Sequence, residues 1–147
     1  EAAALAMLLA ERHPEAGLAP AAGDSRRADY LQWMFNLANM VQPLFRQWWY
    51  PGEPAGDAAA DAVRAHCAPR IEAQWQRIED HLAATGPFLL GDAPTVADFY
   101  LVMLMRWSRN MPRPATEWPR LAALAARLKA RPSFTMLYAR EGLTEWA

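Results

Sequence analysis

The segment "TVADFYLVMLMRW", Thr95 to Trp107, narrows what this chain can fold into. It is apolar on nearly every helical face as far as Leu104. A helix apolar all round is covered on all sides, so it runs through the middle of a bundle. Its first turn then lies where water cannot satisfy the free amides, and an unsatisfied buried amide costs ~1–3 kcal/mol. The sequence supplies the remedy. Thr95 stands at the N-cap and Asp98 three residues on, the pattern of a capping box. Pro94 and Phe99 stand at the positions of a hydrophobic staple. Asp98 also meets the positive end of the helix dipole. A catalytic acid would need a paired base, and nothing pairs with Asp98 to make one.

The rest of the chain reads as helices that could surround this one. "AAALAMLLAER" is a short helix ending before Pro14, and "HPEAGLAPAAGD" is a linker. A second helix, capped by Asp24 or Ser25, carries Tyr30, Met34, Leu37, Val41 and Leu44 at helical spacing, with a kink expected at Pro43. A third runs from about Asp57 to Ala84 on a stripe of Val63, Cys67, Ile71, Trp75, Ile78 and Leu82, and Pro69 predicts a bend or break in it. The last helices use Leu121, Leu124 and Leu128, then Phe134, Leu137 and Tyr138. The fold class is all-α, a bundle of about five to six helices.

Composition excludes several functions. The 147 residues are 53% apolar and 21% charged with a net charge of -1, and the basic residues are scattered. That leaves no footprint for nucleic acid or an acidic membrane surface. No apolar run reaches the ~18 residues of a membrane span. The single Cys rules out an internal disulfide and fits a reducing, cytoplasmic setting. Cys67 sits on an apolar stripe and reads as a buried, inert thiol. His13, His66 and His81 lack ligand spacing and read as solvated, so no metal site is expected. Arg26 and Arg27 oppose the dipole of the second helix and read as a solvated face, or as a contact to a partner's acids. "WWY", Trp48 to Tyr50, reads as packing or a subunit contact.

Motifs extend the reading. "GPFLLGDAPTVADFYL" resembles the loop and capping box ahead of the sixth helix of cytosolic glutathione transferases. "EAAALAMLLAERHPEAGL" resembles that family's last helix of the thioredoxin-like domain with its linker. "WPRLAALAARLKARPSF" with "EGL" resembles its C-terminal segment, and "ADFYLVMLMRW" is most similar to bacterial members. The resemblance covers essentially the whole chain. It implies residues 1–13 as the last helix of an N-terminal domain outside this sequence, 14–24 as linker, and 25–147 as the helical C-terminal domain. The residue that activates sulfur would lie in the absent domain, so no catalytic residue is expected here.

The same resemblance implies glutathione as co-substrate, held mainly by the absent domain. Glu1 matches the acid of the family's Glu-Ser pair, with Ala2 in place of Ser. Gln42 and Pro43 stand where bacterial members often carry His-Lys, so Gln42 retains a hydrogen bond and the lysine charge is lost. An apolar electrophile would sit between Tyr30, Trp33, Met34 and Leu37 on one side and Trp107 and Met111 on the other. The implied whole protein is a dimeric detoxifying transferase acting on a hydrophobic small molecule. The alternatives are a non-catalytic module that docks partners, and a carrier of hydrophobic ligands.

Overall fold

The computed structural model describes residues 1–146. Among them, helix α1 spans Ala2–Arg12, α2 Arg27–Asn36, α3 Gln42–Trp49, the one-turn α4 Gly52–Ala55, α5 Ala60–Thr85, α6 Val96–Trp107, α7 Pro119–Lys129 and α8 Pro132–Glu141. There are no strands among the described residues, only an isolated bridge between Phe88 and Gly91. Among the described residues no helix is long and apolar enough to cross a membrane. The all-α expectation holds.

Helix α6 is the axis. Ala97, Leu101, Leu104 and Met105 are fully buried, and α1, α2 and α7 pack against it. The stripe of α5 is buried as the spacing predicts, at Cys67, Ile71, Trp75, Ile78 and Leu82, and that helix packs on α3 and α7. Trp75 and Phe45 meet at 5.8 Å between ring centroids. Desolvation pushes the Cys67 thiol up, and Cys67 Sγ donates to Gln47 Oε1 at 3.5 Å.

The start of α6 shows how the bundle closes. The capping box between Thr95 and Asp98 is present. One Asp98 oxygen, Oδ2, accepts the Thr95 amide at 2.8 Å and the Thr95 hydroxyl at 3.1 Å; the other, Oδ1, accepts the Leu89 amide at 2.8 Å. The Val96 amide donates to Leu18 O at 2.8 Å, which ties the linker to the helix start. Leu89 reaches Asp98 because Phe88 and Gly91 exchange backbone hydrogen bonds of 3.1 and 3.2 Å across a tight turn. That turn requires φ +109° at Gly91, a region most side chains avoid.

Four expectations need revision. Pro69 neither bends α5 enough to end it nor divides it: the helix is continuous from Ala60 to Thr85. Pro69 is on the exposed side, where water can take the carbonyl freed by its missing N–H. At Pro43 the disturbance is a π-turn, Leu37–Val41, in which the Gln42 amide bonds to Leu37 O, five residues back. The wider turn accommodates the ring just ahead of α3. His81 is not solvated. It is half-buried, its Nε2 lies 2.8 Å from Leu89 O, and its ring lies 4.6 Å from that of Trp33. Arg26 is on the exposed surface as expected, whereas Arg27 is half-buried, and each has a partner within the chain. Arg26 pairs with Asp24 at 2.7 Å, and Arg27 pairs with Glu11 at 2.5 Å and donates to Pro20 O at 2.9 Å. Asp24 also accepts the Arg26 amide at 2.8 Å, so it caps the turn that leads into α2.

Candidate binding site

Two adjoining cavities lie along α3 and the turn before it. The first, of about 280 Å³, opens between α1 and α2 and is lined by Glu1, Met7, Met34, Phe35, Gln42 and Tyr100, among others. The second, of about 480 Å³, opens between α3 and the end of α6. Gln42, Phe45, Arg46, Trp49, Tyr50, Arg106, Trp107 and Arg109 line it. Gln42 belongs to both.

The first cavity is small and largely apolar, with polar groups gathered at one end. The Tyr100 hydroxyl donates to Gln42 Oε1. Desolvation, and after it the Glu1 carboxylate, pushes the Tyr100 phenol up, so it stays a donor at neutral pH. This fixes the orientation of the Gln42 amide and leaves its nitrogen as the donor.

The second cavity has aromatic walls and basic edges. Trp107 is half-buried and meets Phe45 edge-on, at 6.1 Å and 86°. Residues 42, 45, 46 and 49 stand at i, i+3, i+4 and i+7 of one helix face, so α3 lays Gln42, Phe45, Arg46 and Trp49 along the same wall. Arg46 pairs with Glu53 and stacks over the Tyr50 ring at 4.4 Å. Arg106 and Arg109, at the exit of α6, both reach Glu145. Ser108, fully buried, donates to Met105 O at 2.6 Å and accepts the Ala115 amide at 2.8 Å, which sets how the chain leaves α6.

Of the residues expected from sequence, Glu1, Gln42 and Met34 come together at the first cavity, and Trp107 joins Gln42 at the second. Tyr30 and Leu37 are fully buried and line neither. Burial pushes the Tyr30 phenol up to about 12, and its hydroxyl has no partner among the described residues. Trp33 packs on His81, with the Arg77 guanidinium 5.7 Å from its ring. Met111 is buried, its amide held by Ser108 O at 2.9 Å. Sequence reasoning passed over Phe45, Arg46, Arg106, Arg109 and Tyr100. The face of α3 was legible from its spacing, whereas the Tyr100–Gln42 bond joins positions 58 apart and has no local signal. Among the described residues no three His, Cys, Asp or Glu side chains gather as metal ligands.

A family model for the glutathione S-transferase C-terminal domain matches residues 61–133. A glutathione transferase from Methylococcus capsulatus str. Bath superposes with a TM-score of 0.83 at 29% identity, over 98% of this chain and 68% of that one. BphK, a bacterial GST solved as a ternary complex, gives 0.84 at 26% identity, over 97% and 68%. A sphingomonad glutathione S-transferase complexed with glutathione gives 0.81 at 26% identity, over 98% and 68%. No curated protein matches the chain.

Proposed function

We propose that this chain is the C-terminal helical domain of a glutathione transferase-like protein, a reading supported by the family model over residues 61–133 and by the bacterial transferase structures it resembles, and that it presents a hydrophobic electrophile to the thiol of glutathione. The observation that carries this reading is Gln42, shared by a cavity holding Glu1 and a cavity walled by Phe45, Trp49 and Trp107. A tripeptide reaching the first would bring its sulfur toward the second. Glu1 would meet the ammonium of its γ-glutamyl part, and the Gln42 amide would donate to a carboxylate. The aromatic wall suits a flat, polarizable partner. Catalysis would then be positioning, with the thiolate generated by a domain preceding α1.

That domain would cover α1. Leu5 and Leu9 are 61% and 59% exposed, an apolar face that suits packing against another layer. Residues 1–13 would then belong with that domain, 14–24 with the linker and 25–147 with the bundle. Exposed Phe35 and Met40 fit a contact with a like subunit. The protein in this reading is a cytoplasmic homodimer that detoxifies its substrate. A second reading, a docking or ligand-carrying module, draws on Ala2 and Pro43, which supply neither the hydroxyl nor the charge that would grip glutathione.

The test uses glutathione and a chloronitroarene. The 147-residue chain alone gives no conjugation above the uncatalysed rate, and the protein that includes the sulfur-activating domain does. Conjugation by the chain alone would overturn the division of labour. No conjugation by the larger protein would favour the second reading.

A further inference from the structure

Among the described residues, three arginines and no carboxylate line the cavity beside Trp107. A purely apolar ligand leaves them without a use, and drying a guanidinium against a hydrocarbon face is costly. Arg46 has its own partner, held by Glu53 through bonds of 2.9 and 2.5 Å. Arg106 and Arg109 are served less well. Their side chains are only 22% and 24% exposed, yet both converge on one oxygen, Glu145 Oε1, at 2.6 and 3.0 Å. The Arg106 Nε is buried with no hydrogen-bond partner among the described residues. Arg109 spends another donor on Arg106 O at 3.1 Å. Two forked cations share one oxygen where their geometry could grip a whole oxyanion.

The carboxylate they hold is lightly tethered. Glu145 is 55% exposed and follows Gly142, whose φ of +61° turns the chain away from the end of α8. Its neighbour Trp146 is held by Lys129, 4.8 Å from its ring, and by a long 3.5 Å bond from the Tyr138 hydroxyl to its carbonyl. The Leu143 amide donates to Tyr138 O at 2.9 Å and Trp146 packs against the core, so the backbone stays in place and only the exposed Glu145 side chain need swing away.

We propose that this cavity takes an aromatic ligand bearing an oxyanion, a carboxylate or sulfonate, which displaces Glu145 from Arg106 and Arg109 while its ring lies against Trp107 and Trp49. The inference rests on the electrophile reading and gives its substrate a charge. Glu145 acts as a built-in competitor that keeps the paired guanidiniums neutralised until the ligand arrives.

The test is binding of 1-naphthoate and of neutral 1-naphthalenemethanol to the full chain by calorimetry. Naphthoate binds about tenfold more tightly, the order of one charge-assisted hydrogen bond, and the preference shrinks with added salt. Arg109→Gln and Arg106→Gln each bring naphthoate down toward the alcohol. Glu145→Gln strengthens naphthoate severalfold and leaves the alcohol unchanged. Equal affinity for the two probes, or a preference that survives both arginine substitutions, overturns the anion site and leaves the apolar cavity standing. If binding of neither probe responds to Trp107→Ala, the cavity itself is misassigned and the electrophile reading falls with it. Glu145→Gln retains both guanidiniums, so it decides the matter where an arginine variant does not fold: unchanged naphthoate affinity overturns the displacement.

Discussion

Asp98 is a carboxylate with no access to solvent, and two opposed effects act on it. Desolvation pushes its pKa up, while hydrogen bonds from Leu89 and Thr95 pull it down, and desolvation is the larger. A raised folded value means the folded state keeps the proton longer than the unfolded chain. The group's contribution is therefore fully present below the unfolded value of about 3.9 and is lost as pH rises through the folded one. Asp98→Asn does not titrate, so the stability gap between wild type and this variant should narrow as pH rises through that window. Thermal melts across the acid range measure it, and a gap that widens instead would mean the hydrogen bonds outweigh burial. Asp98→Ala, which strands the Leu89 and Thr95 amides together, should cost ~2–3 kcal/mol, above the ~1 kcal/mol of an exposed cap. A melting temperature equal to wild type would rule that out. The capping box was legible because its partners are three residues apart. The Leu89 bond was not, since it depends on the turn closed at Gly91.

At the scale of elements, the helices followed from apolar spacing, and the departures came from long-range context. The sequence predicts a bend or break at Pro69, because proline interior to a helix loses a bond and crowds a carbonyl. The packing of Cys67, Ile71 and Trp75 into the core overrides that local cost. The cost should still be recoverable: Pro69→Ala, at an exposed position, should stabilise the chain by roughly 1–3 kcal/mol, read as a rise in the urea midpoint. A fall would show the proline ring packs usefully. The start of α7 illustrates what spacing cannot show. Trp118 and Pro119 offer no capping side chain, and Glu79 of α5 fills the role from 41 residues away. Its carboxylate accepts the Arg120 amide at 3.0 Å and the Leu121 amide at 3.1 Å. Glu79→Ala should cost about 1 kcal/mol, like an ordinary cap, while Glu79→Gln recovers part of it. Equal losses in both variants would point to charge rather than hydrogen bonding.

The whole molecule places its two cavities side by side because the π-turn ahead of Pro43 packs on the central α6 and α3 runs on from it against α5, with Gln42 at the junction lining both. Trp107 is where core and cavity meet. It lies at the exit of α6, past the fully buried Leu104 and Met105, with one edge on Phe45 and its remaining surface lining the cavity. A Trp held this way contributes less to folding than one enclosed like Trp75, and more to whatever binds. Trp107→Ala in the whole protein should therefore raise the KM for an apolar electrophile about tenfold or more, with the KM for glutathione little changed. Its cost in stability should stay below the ~3–5 kcal/mol of a core Trp or Phe truncation. Trp75→Ala makes the contrast: it should approach that full cost, since its ring is entirely enclosed. Steady-state kinetics with both substrates, alongside the unfolding midpoint, separate the two roles. A collapse in stability with unchanged electrophile KM would make Trp107 a core residue, and the cavity between α3 and α6 would lose its claim to the substrate.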